Sequence, residues 1–230
     1  MYSPPILDFN NETNKGTLFD TRDGQAYHVV KIGKQIWLAE NFRYEPSKEK
    51  GDKYVESCIP TPYTLNAPKD TGRYYDLNTA NNIAPEGWRL PSKEDFDILV
   101  DFIEKDNMEG YNPVSNSVNQ LMTYINNRPW GITTYLKSKD LWEPSGDLNA
   151  NDKYGFTLKP TGYVESVTDI STLNELKALR GYGKEAILLT DTNRFRFHIS
   201  YYSSVIDWIE EPKSNSYYKN FQYNVRLIKE

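Results

Sequence analysis

Cysteine is nearly absent from this sequence, since only one occurs in 230 residues. A single thiol, Cys58, cannot form an internal disulfide, and it excludes every metal site built from a cysteine cluster. Cys58 lies in a stretch rich in proline and tyrosine, and we interpret it as inert. The chain must therefore fold without an internal disulfide or a thiolate metal centre.

Excess positive charge and long apolar runs are also missing. The 27 basic residues are outnumbered by 32 acidic ones, which gives a net charge of −5. Such a chain gains nothing from counterion release, so nucleic acid is not an expected partner. No apolar run approaches the roughly 20 residues that cross a bilayer, so no membrane insertion by this chain is expected. Residues 1–16 have neither a basic nor an apolar signal region, so we expect no secretory signal in the sequence as it stands.

The sequence is rich in tyrosine, with 18 residues, and asparagine is frequent. One interpretation is a β-rich fold, because tyrosine favours strands and asparagine favours turns. The other is a binding surface, because tyrosine offers rigid contact area at a low entropic cost. Aromatic residues make up 14% of the chain and apolar residues 38%, which is enough for a hydrophobic core.

Period-two alternation and turn signals predict strands at both ends of the chain. Residues 17–44 read as consecutive short strands with turns at Asp23-Gly24 and Gly33. Residues 45–72 are polar and contain proline, which predicts a long surface loop. Further candidate strands are residues 72–78, 153–166, 185–191, 194–204 and 221–230. We expect the strands of 17–44 to share a sheet with a terminal strand over 221–229.

Two helices are predicted between these groups of strands. Ser92 is a suitable N-cap for a helix over 93–105, whose apolar face is Phe96, Leu99, Val100 and Ile103. A second helix is predicted over 117–127, with Val118, Leu121, Met122 and Ile125 inward. Because strands and helices do not alternate, we predict one α+β domain over 17–230, preceded by an N-terminal extension over 1–16.

Four segments in order carry a family resemblance: residues 19–44, 72–99, 135–142 with 151–163, and 201–208 with 224–230. They resemble the Fibrobacter succinogenes major paralogous domain, which is common in surface proteins and lipoproteins of Bacteroidetes. The resemblance implies a C-type lectin-like fold, with twisted antiparallel sheets, two helices and long loops. Trp37 and Trp88 lie inside the family motifs, and we assign both to the core.

The chain departs from this family at a pair of positions where members often carry cysteine. Those positions are Ala84 and Leu227 here, so a disulfide bond that usually adds about 2–4 kcal/mol to the free energy of unfolding is missing. The loss weakens the case for an oxidising compartment. The segment around Trp88 also looks like the formylglycine-generating branch of the superfamily. That activity needs a reactive cysteine pair and is excluded because Cys58 is alone.

No motif predicts catalysis. His28 and His198 each lie in a β-like run, where a half-buried structural role is the simplest interpretation. Ser203-Ser204 lacks the glycines of a nucleophile elbow, and no carboxylate pair is singled out by spacing. We therefore predict that the protein is not an enzyme, with an unrecognised hydrolase as the weakest alternative.

One acidic loop is a candidate calcium site, with Asp147, Asn149, Asn151 and Asp152 as the possible ligands. Their alternation begins like an EF-hand loop, but Asp152 occupies the sixth position, where glycine is needed, and Leu158 the twelfth, where glutamate is needed. The simpler interpretation is a hydrated turn. No cofactor is expected, and calcium is the alternative.

Aromatic side chains in or beside the loops 140–153 and 204–220 are the candidate ligand-binding residues, because scaffold loops concentrate binding function. They are Trp142, Tyr201, Tyr202, Trp208, Tyr217 and Tyr218. They suggest a non-catalytic recognition or adhesion module of a bacterial surface protein, which binds glycan or protein. The alternative is a structural or receptor-binding component of a phage particle or other large assembly, with a homo-oligomer or assembly partner. The expected location is accordingly the cell surface, the extracellular space or a virion.

Overall fold

The computed structural model describes residues 3–52, 57–58, 71–107, 131–143, 150–168, 175–192, 194–201, 206–210 and 221–230. These residues form two curled, mostly antiparallel sheets and two α-helices, as the α+β prediction requires. Among them, no helix is long and apolar enough to cross a membrane.

The first sheet has six strands in the order β1-β2-β3-β4-β14-β7. Gly24 and Gly33 have φ values of +74° and +60°, which a turn between strands needs and glycine adopts without strain. Ile228 of β14 pairs with Trp37 of β4, which confirms that the chain's two ends share this sheet. The strands are β1 (Ile6–Asn10), β2 (Lys15–Asp20), β3 (Gln25–Ile32), β4 (Gln35–Leu38), β7 (Trp88–Arg89) and β14 (Ile228–Lys229).

The second sheet has eight strands, of which six follow the order β12-β11-β10-β13-β6-β5, while β8 pairs with β13 and β9 with β8. The prediction of one terminal strand over 221–229 is wrong, because β13 and β14 belong to different sheets and residues 225–227 cross between them, buried. The strands are β5 (Ser57–Cys58), β6 (Tyr74–Tyr75), β8 (Tyr163–Thr168), β9 (Glu175–Arg180), β10 (Glu185–Leu189), β11 (Phe195–Ser200), β12 (Asp207–Glu210) and β13 (Phe221–Asn224).

The predicted helix over 93–105 is confirmed as α2 (Lys93–Asn107), with Phe96, Leu99 and Ile103 buried. The hydroxyl of Ser92 accepts a hydrogen bond from the Asp95 amide, and the Asp95 carboxylate accepts one from the Ser92 amide. This reciprocal arrangement satisfies amide groups at the start of the helix. The second predicted helix, over 117–127, lies outside the described residues.

Five further segments differ from prediction. The segment 72–78 is a strand only at Tyr74–Tyr75, because Asp76 caps a short helix, α1 (Leu77–Ala80). The segment 153–166 becomes a strand only at Tyr163, since left-handed backbone at Asp152 and Thr157 interrupts it. The predicted loops 45–72 and 204–220 contain the short strands β5 and β12, and β9 was not predicted.

Two hydrophobic clusters lie against alternate faces of the strands. In β3, Tyr27 and Val29 belong to the first cluster, whereas Val30 and Ile32 belong to the second, which also holds the buried face of α2. Trp37 and Trp88 are buried, as predicted for the core. Leu227 is buried in the first cluster and Ala84 packs against it, so apolar contacts occupy the positions where the family often has cysteine.

Candidate functional site

The motif residues Asn41, Thr161, Asn224 and Arg226 form one buried group, the polar junction. Arg226 donates from Nε to Asn41 Oδ1 at 2.9 Å, and Asn41 Nδ2 donates to the Thr161 hydroxyl at 3.3 Å. Thr161 in turn donates to the Asn224 side chain. These bonds tie β13, the 225–227 crossing and the residues that follow β4 into one network.

Arg226 is the charged residue of the junction, and its side chain is buried. Besides Asn41, its guanidinium donates to the carbonyl oxygens of Leu38, Phe156 and Thr157. Burial lowers the pKa of Arg226 to about 9, although the nearest acidic groups, Asp152 and Glu40, act in the opposite direction. Its donors are matched to acceptors, so the junction holds the fold together and offers no open group to a ligand.

The calcium candidates are only partly described, because Asp147 and Asn149 fall outside the described residues. Both carboxylate oxygens of Asp152 accept hydrogen bonds from Thr157, one from the amide and one from the hydroxyl, at 2.7 Å each. The Asn151 side chain accepts from the Lys153 amide at 2.9 Å. Burial raises the pKa of Asp152. In the described part of the chain, no group of three or more His, Cys, Asp or Glu residues could hold a metal.

Two of the predicted ligand-binding aromatics meet at a buried lysine, and we call Lys137, Trp142 and Tyr201 the aromatic corner. Lys137 Nζ donates to the Tyr201 carbonyl at 3.3 Å and lies 4.9 Å from the centre of the Trp142 ring. Trp142 and Tyr201 are both half-buried, and the Trp142 indole nitrogen donates to Leu158 O at 3.2 Å. A cation over the ring and this hydrogen bond hold the indole in one orientation.

Of the other predicted aromatics, the structure describes Trp208, which is not at this corner. Trp208 lies in β12 rather than in a loop, and its ring makes edge contacts with the rings of Phe96, Phe195 and Phe197. It is half-buried against α2, and Lys93 lies 4.5 Å from its centre. The predictions for Tyr202, Tyr217 and Tyr218 fall outside the described residues.

Four polar residues that were not predicted as a group share one face of β10, β11 and β12, and we call them the polar cluster. Glu185 lies opposite Ser200, and His198 lies opposite Asp207. His198 Nε2 is 3.4 Å from Glu185 Oε2, and Nδ1 is 3.9 Å from Asp207 Oδ2. The sequence signal was the alternation of Arg196, His198 and Ser200 with apolar neighbours, which predicts a strand with one polar face.

The aromatic corner and the polar cluster occupy the same end of the eight-stranded sheet, which we call the sheet end. They lie on opposite faces of it, because Trp142 packs with Ala186, Phe197 and Ile199, whose positions alternate with those of the cluster. Tyr201 directly follows Ser200, and its amide donates to Lys184 O at 2.7 Å in the turn before β10. In the same turn, Gly183 O accepts from the Glu143 amide at 2.8 Å, one residue after Trp142. Backbone hydrogen bonds therefore link the aromatic corner to the strands that carry the polar cluster.

A family model described as the Fibrobacter succinogenes major domain matches residues 30–229. The chain belongs to this family. No curated protein and no solved structure is similar enough to this chain to count as a match. The match begins inside β3, so β1 and β2 precede the part of the chain that the family model covers.

The two histidines of this Fibrobacter succinogenes major domain differ in their surroundings. Both lie in strands, but His28 is 81% exposed instead of half-buried, with Nδ1 2.7 Å from Glu40 Oε1. Burial opposes ionisation of Glu40, but hydrogen bonds from His28 and Arg43 lower its pKa. His198 is the half-buried histidine, with a side chain 16% exposed, and it lies in the polar cluster.

Proposed function

We propose that this chain is a non-catalytic recognition module that binds a glycan or protein ligand at the sheet end. The observation that carries the proposal is the placement of Trp142 and Tyr201, two half-buried aromatic residues fixed around Lys137. Aromatic rings with polar neighbours are typical of ligand sites. The side chains of the polar junction have hydrogen-bond partners inside the fold, which leaves recognition to residues outside the junction.

The finer fold that we propose is C-type lectin-like. Its support is the pairing of β14 with β4, which brings the two ends of the domain together, and the packing of α2 on the same sheets. Long segments between the strands are a further feature shared with that fold. Fold likeness by itself carries no function, so the binding role rests on the sheet end.

The positions of Ser200 and His198 support the non-catalytic part of the proposal. Ser200 and His198 lie two residues apart on one strand, but Ser200 Oγ makes no hydrogen bond with the imidazole or with any other described group. A serine nucleophile needs a base within hydrogen-bonding reach. Ser200 therefore lacks the partner that acyl-transfer chemistry requires.

The experiment is to screen the full chain against an array of glycans and an array of purified extracellular proteins, with Trp142→Ala as the test variant. A buried aromatic anchor typically contributes about 2 kcal/mol or more, so we expect at least a tenfold loss of affinity. Trp142→Phe keeps a ring and should retain part of the binding. Equal affinity of all three folded proteins for every ligand found would contradict the proposal.

Trp208→Ala is expected to lower stability as well as binding, because it removes ring contacts with Phe96, Phe195 and Phe197. Trp88→Ala is the control for a purely structural tryptophan, since Trp88 is 5% exposed. It should lose about 3–5 kcal/mol of stability. Thermal unfolding of each variant separates these effects from a loss of binding.

A second role, as a component of a larger assembly, is favoured by one observation on the β1–β2 hairpin. Ile6 and Phe19 are 60% and 43% exposed and lie directly opposite each other. Adjacent exposed apolar side chains favour association. Light scattering across a concentration series tests this role. Ser substitutions at both positions should abolish any oligomer, whereas Ile98→Ser, at a residue 48% exposed on α2, should not. A monomer at every concentration would contradict self-assembly.

The proposed location follows from these roles: a cell surface or the extracellular space for the recognition module, and a virion for an assembly component. No cofactor is part of the proposal. Calcium is retained only as an outcome to be tested.

A further inference from the structure

The polar cluster contains hydrogen-bonding capacity that the described protein does not use. Ser200 is 3% exposed, yet its Oγ has no hydrogen-bond partner among the described residues. His198 Nε2 is likewise buried, and its 3.4 Å approach to Glu185 Oε2 is too poorly oriented to be a hydrogen bond. A buried polar group without a partner is unfavourable, so these two atoms indicate a missing polar partner.

The cluster has an accessible rim and a buried floor. Side-chain exposure falls from 52% at Asp207 to 33% at Glu185 and 16% at His198, and Ser200 is buried. Directly opposite residues on antiparallel strands have Cβ atoms about 4.5–5.5 Å apart, and residues two apart on one strand share a face. Ser200 is therefore directed into the same space as the Glu185 carboxylate.

The chemistry of the cluster selects a ligand that donates several hydrogen bonds. The two carboxylates accept hydrogen bonds when ionised, and the serine and histidine both donate and accept. Glu185 and Asp207 are two acidic residues, whereas Arg196 is one basic residue on the same face of the sheet. The surroundings of the cluster are therefore net negative and disfavour anionic ligands. The carboxylates lie beside different imidazole nitrogens, so the three groups do not converge on a single metal position.

We propose that the polar cluster is a hydroxyl-recognition subsite for a neutral saccharide. The subsite lies on the face of the sheet opposite to the one on which Trp142 packs. The inference rests on the proposed recognition function and narrows its ligand to one class. Vicinal hydroxyls donate to Asp207 and Glu185, and a hydroxyl that reaches inward meets Ser200 Oγ and His198 Nε2.

The first test is Asp207→Asn, with Glu210→Gln as its matched control. Both residues lie in β12 with similar side-chain exposure, 52% and 56%, but three positions apart, so they lie on opposite faces. Each substitution removes one negative charge and keeps the side-chain size. On an array of neutral, sialylated and sulfated oligosaccharides, wild type should select neutral glycans. Calorimetry with the best neutral oligosaccharide should show at least a tenfold loss for Asp207→Asn and no change for Glu210→Gln.

The second test is Ser200→Ala, read by binding and by thermal unfolding. A ligand-directed hydroxyl predicts weaker saccharide binding with a melting temperature that does not fall. A lower melting temperature with unchanged binding would overturn the subsite and assign the hydroxyl to an internal water.

The remaining outcomes distinguish the subsite from the broader function. Neutral-glycan binding that depends on Trp142 but is indifferent to Asp207 and Ser200 would overturn the subsite and leave the recognition function intact. Binding to proteins alone, or to anionic glycans, would do the same. Binding to no member of either array would overturn both.

Discussion

The polar junction and the polar cluster each contain four polar side chains, but they use their hydrogen-bonding capacity differently. In the junction, Arg226 has acceptors on Asn41 and on three backbone carbonyls. In the cluster, Ser200 Oγ and His198 Nε2 have no hydrogen-bond partner among the described residues. The difference separates structure from recognition, because a satisfied group stabilises the fold whereas an unsatisfied one is available to a ligand.

The two regions also differ in their relation to the segments that resemble the family. All four junction residues lie in such segments, and they join parts of the chain that are far apart in sequence. In the cluster, only Asp207 lies in such a segment, whereas Glu185, His198 and Ser200 lie between two of them. The resemblance therefore covers the junction more fully than the cluster.

The largest effect is expected from Arg226→Met, which removes the central donor of the junction. Asn41 Oδ1 and the carbonyls of Leu38, Phe156 and Thr157 would lose a buried donor, so we expect a loss of about 3–5 kcal/mol in the free energy of unfolding. Arg226→Lys keeps the charge without the planar fork and should be intermediate. Arg194→Met, at an arginine 54% exposed, is the control and should change stability by less than about 1 kcal/mol. Urea unfolding measures the free energy of unfolding of all three variants. Similar losses for Arg226→Met and Arg194→Met would show that the junction stabilises the fold no more than an exposed ion pair does.

A smaller and pH-dependent effect is expected at Asp95, a satisfied carboxylate at the start of α2. Burial opposes its ionisation, but hydrogen bonds from Arg89 and Ser92 lower its pKa below the ordinary value. The stabilisation is therefore present above the unfolded pKa near 4 and is lost as pH falls through the lower folded pKa. Asp95→Asn should lose about 1–2 kcal/mol at pH 7 and less near pH 3.

The control for that prediction is Asp97→Asn, which affects a 48% exposed carboxylate paired with Lys93 on the same helix. Such pairs contribute only about 0.3–0.5 kcal/mol, so little change with pH is expected. Chemical unfolding at several pH values provides the measurement. A difference between wild type and Asp95→Asn that is constant from pH 3 to pH 7 would show that ionisation of Asp95 is not the cause.

Local patterns made part of this architecture predictable. The i, i+3, i+4, i+7 spacing of Phe96, Leu99, Val100 and Ile103 marked α2 to within a few residues of its end. Glycine turns and alternation marked the hairpins of the first sheet. These signals lie within a few residues of one another, so a sequence can display them.

Other features depend on pairing between distant segments. The split of 221–229 into β13 and β14 requires Tyr75 and Trp37 as separate partners, which no local pattern specifies. The meeting of Trp142 with Tyr201 at Lys137 likewise depends on how strands align across the chain. The polar face of β11 was visible as alternation, but its neighbours Glu185 and Asp207 follow only from the register.

A small effect of opposite sign sharpens the comparison between the two regions. Ser200→Ala removes a buried hydroxyl that has no partner, so stability should stay the same or rise by up to about 1 kcal/mol. Thr161→Val removes a buried hydroxyl that is bonded to Asn224 and Asn41, so stability should fall by about 1–3 kcal/mol. Differential scanning calorimetry of the pair provides the measurement. Equal losses in the two variants would mean that both hydroxyls are satisfied and would remove the distinction.

No effect at all is expected from calcium. Asp152 and Asn151 already direct their oxygens at Thr157 and Lys153, so a bound cation would have to displace those hydrogen bonds. The melting temperature should therefore be the same in millimolar Ca²⁺ and in chelator. A rise of several degrees with Ca²⁺ would reveal a site, because a ligand that binds only the folded state raises its stability.

Asp147→Ala tests whether such a rise comes from the loop. Asp152→Asn adds a control, because its amide oxygen can still accept from Thr157 while the negative charge that calcium prefers is lost. If the rise disappears in both variants, Asp152 belongs to a cation site instead of serving only the turn beside the polar junction.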